Sequence, residues 1–274
     1  MPGVRVDWQT AHPYRITHIR CMSLLLSIVM PAYNEEEVIE VVVKQWTDLL
    51  ARQFPADETR LIVVNDGSRD RTGAILDEIK GRYPRLVVVH QPNGGHGNAV
   101  VNGYRQAVAL DSQYVFQTDS DDQFVADDFD RLWAKRNDSP FILGYREERF
   151  DAPARLVITR ILRMSIAAIY GTYIMDSNIP FRLIRGSFLK KLLAQLPTPT
   201  PFAPNIFLAV MAKKAGYNTF DLPITHKERQ TGTVSILKWK LLKVCMQSFK
   251  ELAQFRFELG DKVKELRKPE AVTA

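Results

Sequence analysis

Arg60-Leu61-Ile62-Val63-Val64-Asn65-Asp66-Gly67-Ser68 is the stretch that decides the fold class. Its unbroken apolar run reads as a strand buried on both faces, and Asp66-Gly67-Ser68 supplies the turn that ends it. Upstream, Leu24–Met30 is a second such run, ended by Pro31 and followed by helical periodicity over Glu35–Leu50. Downstream, Thr72–Tyr83 reads as a helix and Leu86–His90 as a third strand. Asn93-Gly94-Gly95-His96-Gly97 then reads as a flexible loop, Ala99–Leu110 as a helix and Tyr114–Thr118 as a fourth strand. Alternating strands and helices joined by short links predict an α/β domain with a mostly parallel sheet and helices on both faces. Ligands of such sheets sit beyond the carboxyl ends of the strands.

The second half changes character. Phe141–Gly144 reads as a strand, Arg155–Tyr173 as an arginine-bearing helix and Asn205–Ala215 as a helix after the turn Pro197–Pro204. Ile236–Leu266 reads as a final helix. The 274 residues are 25% charged and 46% hydrophobic, which excludes disordered, collagen-like and disulfide-scaffold classes. Cys21 and Cys245 are too few for a disulfide framework and too far apart for a metal-ligand pair, so a reducing, cytoplasmic setting is expected. Lys227–Lys268 carries 11 basic and 5 acidic residues and so holds the whole net charge of +6. A local basic surface fits that distribution and a nucleic-acid partner does not. The longest apolar runs, Leu24–Ala32 and Met164–Met175, fall short of the ~20 residues that cross a bilayer. Residues 1–22 read as a polar leader without a signal-peptide core.

The sharpest chemical feature is Asp119-Ser120-Asp121-Asp122-Gln123, directly after the fourth strand. In an extended segment, alternation puts Asp119, Asp121 and Gln123 on one side. Three oxygen donors there suit Mg²⁺ or Mn²⁺ completed by substrate phosphates, and the ion would offset charge on a departing diphosphate. The second feature pairs Pro31-Ala32-Tyr33-Asn34-Glu35 after strand one with Asn65-Asp66-Gly67-Ser68 after strand two. Asp66 has the chemistry to accept from a base imide and Tyr33 to border the ring; taken singly, Asn34 and Ser68 are also good helix caps. Neither stretch is a Rossmann glycine motif or a P-loop.

The joint order of Pro31–Glu35, Asn65–Gly73, Asn93–Ala99 and Asp119–Gln123 resembles the family 2 glycosyltransferases of GT-A fold, and among them the dolichol- and polyprenyl-phosphate sugar transferases. The resemblance runs over roughly residues 24–240. It implies that Pro31, Tyr33, Glu35, Asp66 and Asp119 bind the nucleotide sugar, and that Asp119, Asp121 and Gln123 hold the metal. Asn65 stands where two successive aspartates are more usual. Gly144-Tyr145-Arg146, Arg155–Arg160, Met175–Arg182 and Arg229–Ser235 resemble the family's acceptor-side segments, with Pro180 in place of a usual glycine and Ile236 in place of a usual lysine. Arg146, Arg155, Arg229 and Ser235 are thereby implied to bind an acceptor phosphate, with Asp121, Arg146 and Arg229 closest to the chemistry. Guanidinium groups suit that task, although Arg146 and Arg149 also flank Glu147 and Glu148 as ordinary ion pairs would.

The expected organisation is a leader over 1–22, a GT-A domain over 23–235 and a basic amphipathic helix with tail over 236–274. In that helix Lys240, Lys243, Gln247, Lys250 and Gln254 share one face, and Leu242, Cys245, Met246, Phe249, Leu252 and Ala253 another. Such a helix suits an anionic bilayer surface, so peripheral association with the inner face of the membrane is expected, directly or through an integral-membrane partner. The expected activity is inverting, metal-dependent transfer from a nucleoside diphosphate sugar to a polyprenyl phosphate, with GDP-mannose, UDP-glucose and UDP-N-acetylglucosamine as candidate donors. A glycan or glycolipid hydroxyl acceptor stays open, with Asp176 as base, as does a non-catalytic nucleotide-sugar-binding scaffold.

Overall fold

The computed structural model describes residues 23–147, 153–217, 219–227 and 238–267. Its seven-stranded sheet has the order β3-β2-β1-β4-β6-β5-β7. The strands are β1 Leu26–Ala32, β2 Thr59–Asp66, β3 Leu86–Gln91, β4 Tyr114–Gln117, β5 Phe141–Arg146, β6 Arg182–Arg185 and β7 Thr219–Ile224. Only β6 runs against its neighbours, pairing antiparallel with β4 and β5. The helices are α1 Ile39–Gln53, α2 Thr72–Ile79, α3 His96–Ala109, α4 Phe129–Ala134, α5 Pro153–Tyr170, α6 Gly186–Ala194, α7 Pro204–Lys214 and α8 Lys238–Arg267. This is the mostly parallel α/β architecture expected from the apolar runs.

β1 and β2 are buried almost throughout, which is why they read as continuous apolar runs rather than alternating ones. The chain builds β1, β2 and β3 outward in one direction and returns to place β4 on the other side of β1. That reversal opens a crevice beyond the carboxyl ends of β1 and β4. Pro31 does not end β1; it pairs with Val64 inside the strand. It is tolerated because the last residue of β4, Gln117, already lies opposite Val29, so Pro31 is past the β4 ladder.

α3 lies across β1 and β2. A Cβ on its Gly103 would fall 2.3 Å from Val29 Cγ1, so only glycine allows this approach to the sheet. α3 also starts three residues earlier than its periodicity predicts, absorbing His96, Gly97 and Asn98. Gly97 reads as a helix breaker, but here it admits the Pro201 and Phe202 carbonyls, which a Cβ would meet at 2.9 and 2.6 Å.

α8 packs on the domain through Leu252, Phe255, Leu259, Val263 and Leu266, all buried. Its expected apolar face is thus divided: Leu252 turns inward, while Met246 and Phe249 face solvent with Phe257, which is 90% exposed. Among the described residues no helix is long and apolar enough to cross a membrane.

Candidate active site

A cleft of ≈ 400 Å³ opens at the β1/β4 crevice, lined by Pro31, Tyr33, Glu35, Asp66, Asp119 and Asp121, with Asn93, Gly95, His96, Ala99 and Ser120 completing its wall. Two loops form one side and are laced together. The Asn34 amide donates to Ser68 Oγ, and the Arg69 amide donates to Asn34 Oδ1. The Glu35 amide donates to Thr72 Oγ1, and Glu36 exchanges bonds with Asp70 and Arg71. Asn34 and Ser68 therefore brace loop to loop rather than capping α1 and α2, whose first turns carry no side-chain cap. Burial would raise the Asp70 carboxyl, but bonds from the Thr72 hydroxyl and from the Thr72 and Glu36 amides outweigh it and hold Asp70 below the ordinary carboxylate range.

Asp66 is nearly fully buried and held by its Oδ1, which accepts from Gln91 Nε2 at 2.7 Å and the Gly94 amide at 2.8 Å. Gln91 is fixed in turn by Asn102 of α3 at 2.6 Å. Asn65 has a physical reason to depart from an aspartate: its Nδ2 lies 3.0 Å from His90 Nδ1 and its Oδ1 accepts from the Ser68 amide. An aspartate would supply only acceptors to that pair.

The acidic segment after β4 is not extended. Asp122 adopts φ 56° and bends the chain. Asp119 and Asp121 reach the cleft, but Gln123 is not in the lining found among the described residues. Its Nε2 donates to the Lys227 carbonyl at 3.3 Å, and the Lys227 amide returns a bond to the Gln123 carbonyl. The alternation expected to place three donors on one side therefore fails at Asp122. Of this segment, the carboxylates of Asp119 and Asp121 remain at the cleft, and among the described residues no three His, Cys, Asp or Glu side chains are grouped so as to hold a metal ion. That donor set fits Mg²⁺ or Mn²⁺ of the kind held by one or two carboxylates, waters and substrate phosphates.

A second polar cluster lies at the end of β5. Arg146 Nε and NH2 donate to Asp176 Oδ2 and Oδ1 at 2.8 and 3.1 Å, a bidentate pair with side chains 13% and 5% exposed. Arg182, at the start of β6, is wholly buried and donates to the Ser177, Ile179 and Asn205 carbonyls. Burial lowers its pKa against the opposing pull of Tyr104, Asp176 and Asp119. Its charge therefore spans the two clusters. Nearby, burial raises the Asp221 carboxyl despite Lys213 at 3.4 Å. Arg229 and Ser235 lie outside the described residues, as does the side chain of Arg155. The lining residue His96 escaped the sequence reading because Gly97 hid the true start of α3.

Residues 27–193 match the sequence model described as Glycosyl transferase family 2. The chain belongs to that family. Curated relatives include the undecaprenyl-phosphate 4-deoxy-4-formamido-L-arabinose transferases of Pseudomonas fluorescens strain Pf0-1, 24% identical over 80% of this chain, and Pectobacterium atrosepticum strain SCRI 1043, 26% identical over 80%. The chain covers 62% and 64% of those family members' lengths. Among solved structures, glucosyl-3-phosphoglycerate synthase from Mycobacterium tuberculosis, in complex with Mn²⁺, UDP and glucosyl-3-phosphoglycerate, superposes with TM-score 0.60. It is 18% identical, over 85% of this chain and 80% of that one, a likeness that establishes the GT-A fold.

Proposed function

We propose that the chain transfers a sugar from a nucleoside diphosphate sugar to a polyprenyl phosphate, with a divalent metal and inversion at the anomeric carbon. One arrangement carries the reading: Asp66, Asp119 and Asp121 face a single cleft at the topological switch of a family 2 glycosyltransferase sheet. The relatives named for undecaprenyl phosphate support the acceptor class. The neighbour bound to Mn²⁺ and UDP supports the metal and the donor class.

Asp66, immobilised through Oδ1, accepts from the base, and the Tyr33 ring borders it. Asp119 and Asp121 hold the ion, whose charge offsets that of the diphosphate. A non-bridging oxygen of the acceptor phosphate attacks the anomeric carbon opposite the leaving group. The bond from that carbon to the diphosphate oxygen breaks, and its electron pair departs with the nucleoside diphosphate. The acceptor is already anionic, so positioning and charge screening suffice without a base. That agrees with Asp176, whose two oxygens both accept from Arg146. Arg146, Arg155, Arg229 and Ser235 serve the acceptor phosphate in this reading. The outward Met246, Phe249 and Phe257 on α8, beside exposed Lys250, support seating against an anionic bilayer.

The test offers GDP-mannose, UDP-glucose and UDP-N-acetylglucosamine with Mn²⁺ or Mg²⁺ and a short polyprenyl phosphate, following diphosphate release and glycolipid formation. One donor is expected to give the lipid product. Donor hydrolysis with transfer only to a hydroxyl acceptor would refute the phosphate acceptor, and binding of no nucleotide sugar would refute the donor class.

A further inference from the structure

The cleft lining contains the carboxylates of Glu35, Asp66, Asp119 and Asp121 and a single basic side chain among the described residues, His96. We propose that His96 is a diphosphate-binding residue of this cleft, donating an imidazole N–H to a non-bridging oxygen of the nucleoside diphosphate. The inference rests on the donor class proposed above and adds to it the residue that receives the phosphates on the wall made by α3.

Charge is the first reason. A nucleoside diphosphate entering a wall of carboxylates gains from every donor it meets, in addition to an ion that Asp119 and Asp121 would hold. Imidazole carries at least one N–H in either charge state, and hydrogen bonds to charged oxygens are among the stronger ones. Placement is the second reason. His96 is exposed to the cleft as the first residue of α3, a helix whose first turn carries no acidic residue. Gly103 seats the same helix against Val29 of β1 and Val64 of β2. Rigidity is the third. Gly97 is wedged against the Pro201 and Phe202 carbonyls, and Asn98 Nδ2 donates to the Gly94 carbonyl at 2.6 Å. The imidazole is thus presented from fixed backbone beside the Gly94 amide that also holds Asp66.

The test is calorimetric and needs no turnover. UDP and GDP, and the matching monophosphates, are titrated with Mn²⁺ into wild type, His96→Ala and His96→Lys. His96→Ala is expected to weaken the diphosphate roughly tenfold or more, the scale of one hydrogen bond to a charged group. The monophosphate should change less than twofold, and His96→Lys should recover most of the diphosphate affinity. If wild type binds neither diphosphate, the donor class itself falls. If wild type binds and His96→Ala binds equally well, His96 alone is removed from the site. Equal losses for mono- and diphosphate, unrescued by lysine, would make its role structural and overturn the inference.

Discussion

Removing the Asp176 carboxylate should cost more than removing its partner Arg146, although the two share one bidentate contact. Asp176 is 5% exposed and accepts both donors of the Arg146 fork. With Tyr104 and Asp119 it also opposes the pKa lowering of the wholly buried Arg182, which donates to the Ser177, Ile179 and Asn205 carbonyls. Asp176→Ala strands Arg146 and weakens, without removing, the opposite charge felt by Arg182, which keeps Asp119. Breaking a buried pair by deleting one partner costs about 3–5 kcal/mol, and the weakened counter-charge places this variant at the upper end. At roughly 2–4 °C per kcal/mol for a chain of this size class, the melting temperature should fall by more than about 10 °C. Arg146→Ala leaves the carboxylate facing Arg182, so its cost should be nearer the ~1–3 kcal/mol of an under-satisfied buried group. Urea unfolding of both variants and the double variant, with slopes compared to wild type, separates the terms. Equal costs, or a larger cost for Arg146→Ala, would refute the assignment of Asp176 as counter-charge to Arg182.

Asp121→Ala should abolish transfer and the Mn²⁺ dependence of nucleotide binding while leaving the melting temperature within a few degrees; near-normal turnover would remove Asp121 from the metal site. Gly103→Ala should destabilise by about 1–3 kcal/mol, because its Cβ would sit 2.3 Å from Val29 Cγ1 and the clash exceeds the gain in helix propensity. A raised melting temperature would contradict that packing. Asp70 is held below the ordinary carboxylate range, so it contributes stability above its unfolded pKa and loses it as pH falls through the lowered value. Asp70→Asn should therefore be less stable than wild type at neutral pH and show a shallower acid-side loss, as read from urea midpoints between pH 7 and about 3; parallel curves would refute it.

The sheet was legible where the sequence is monotonous, in the buried β2 and in the half-buried but β-branched β3. Leu61–Val64 and Val87–Val89 have no alternation to misread, and each is followed by turn residues that carry the chemistry. β6 was missed because Arg182 and Arg185 bound a strand of four residues, and nothing local reveals that the first arginine is wholly buried. β7 hid behind Asp221 and Pro223, residues an edge strand tolerates and a central one does not. In the cleft, Pro31, Tyr33, Glu35, Asp66, Asp119 and Asp121 were readable because each sits at or just beyond the carboxyl end of a strand. His96 was not, since the carbonyls that make Gly97 necessary come from residues a hundred positions away. The alternation read for Asp119, Asp121 and Gln123 does not hold for a backbone reason: the left-handed conformation of Asp122 bends the segment.

The single reversed strand has a consequence for how this enzyme class can diversify. In an all-parallel sheet only the segments that leave strands reach the reactive edge. Because β6 runs backwards, its first residue stands level with the last residue of β4, and the segment that precedes it, carrying Asp176, arrives at the same edge. In the proposed reading the acceptor side thus draws on a stretch of chain with no part in holding the loops around Asp66. On that reading, exchanging residues 171–181 between relatives is expected to alter acceptor choice while leaving the braces around Asp66 intact, a form of modularity written into strand direction rather than into separate domains.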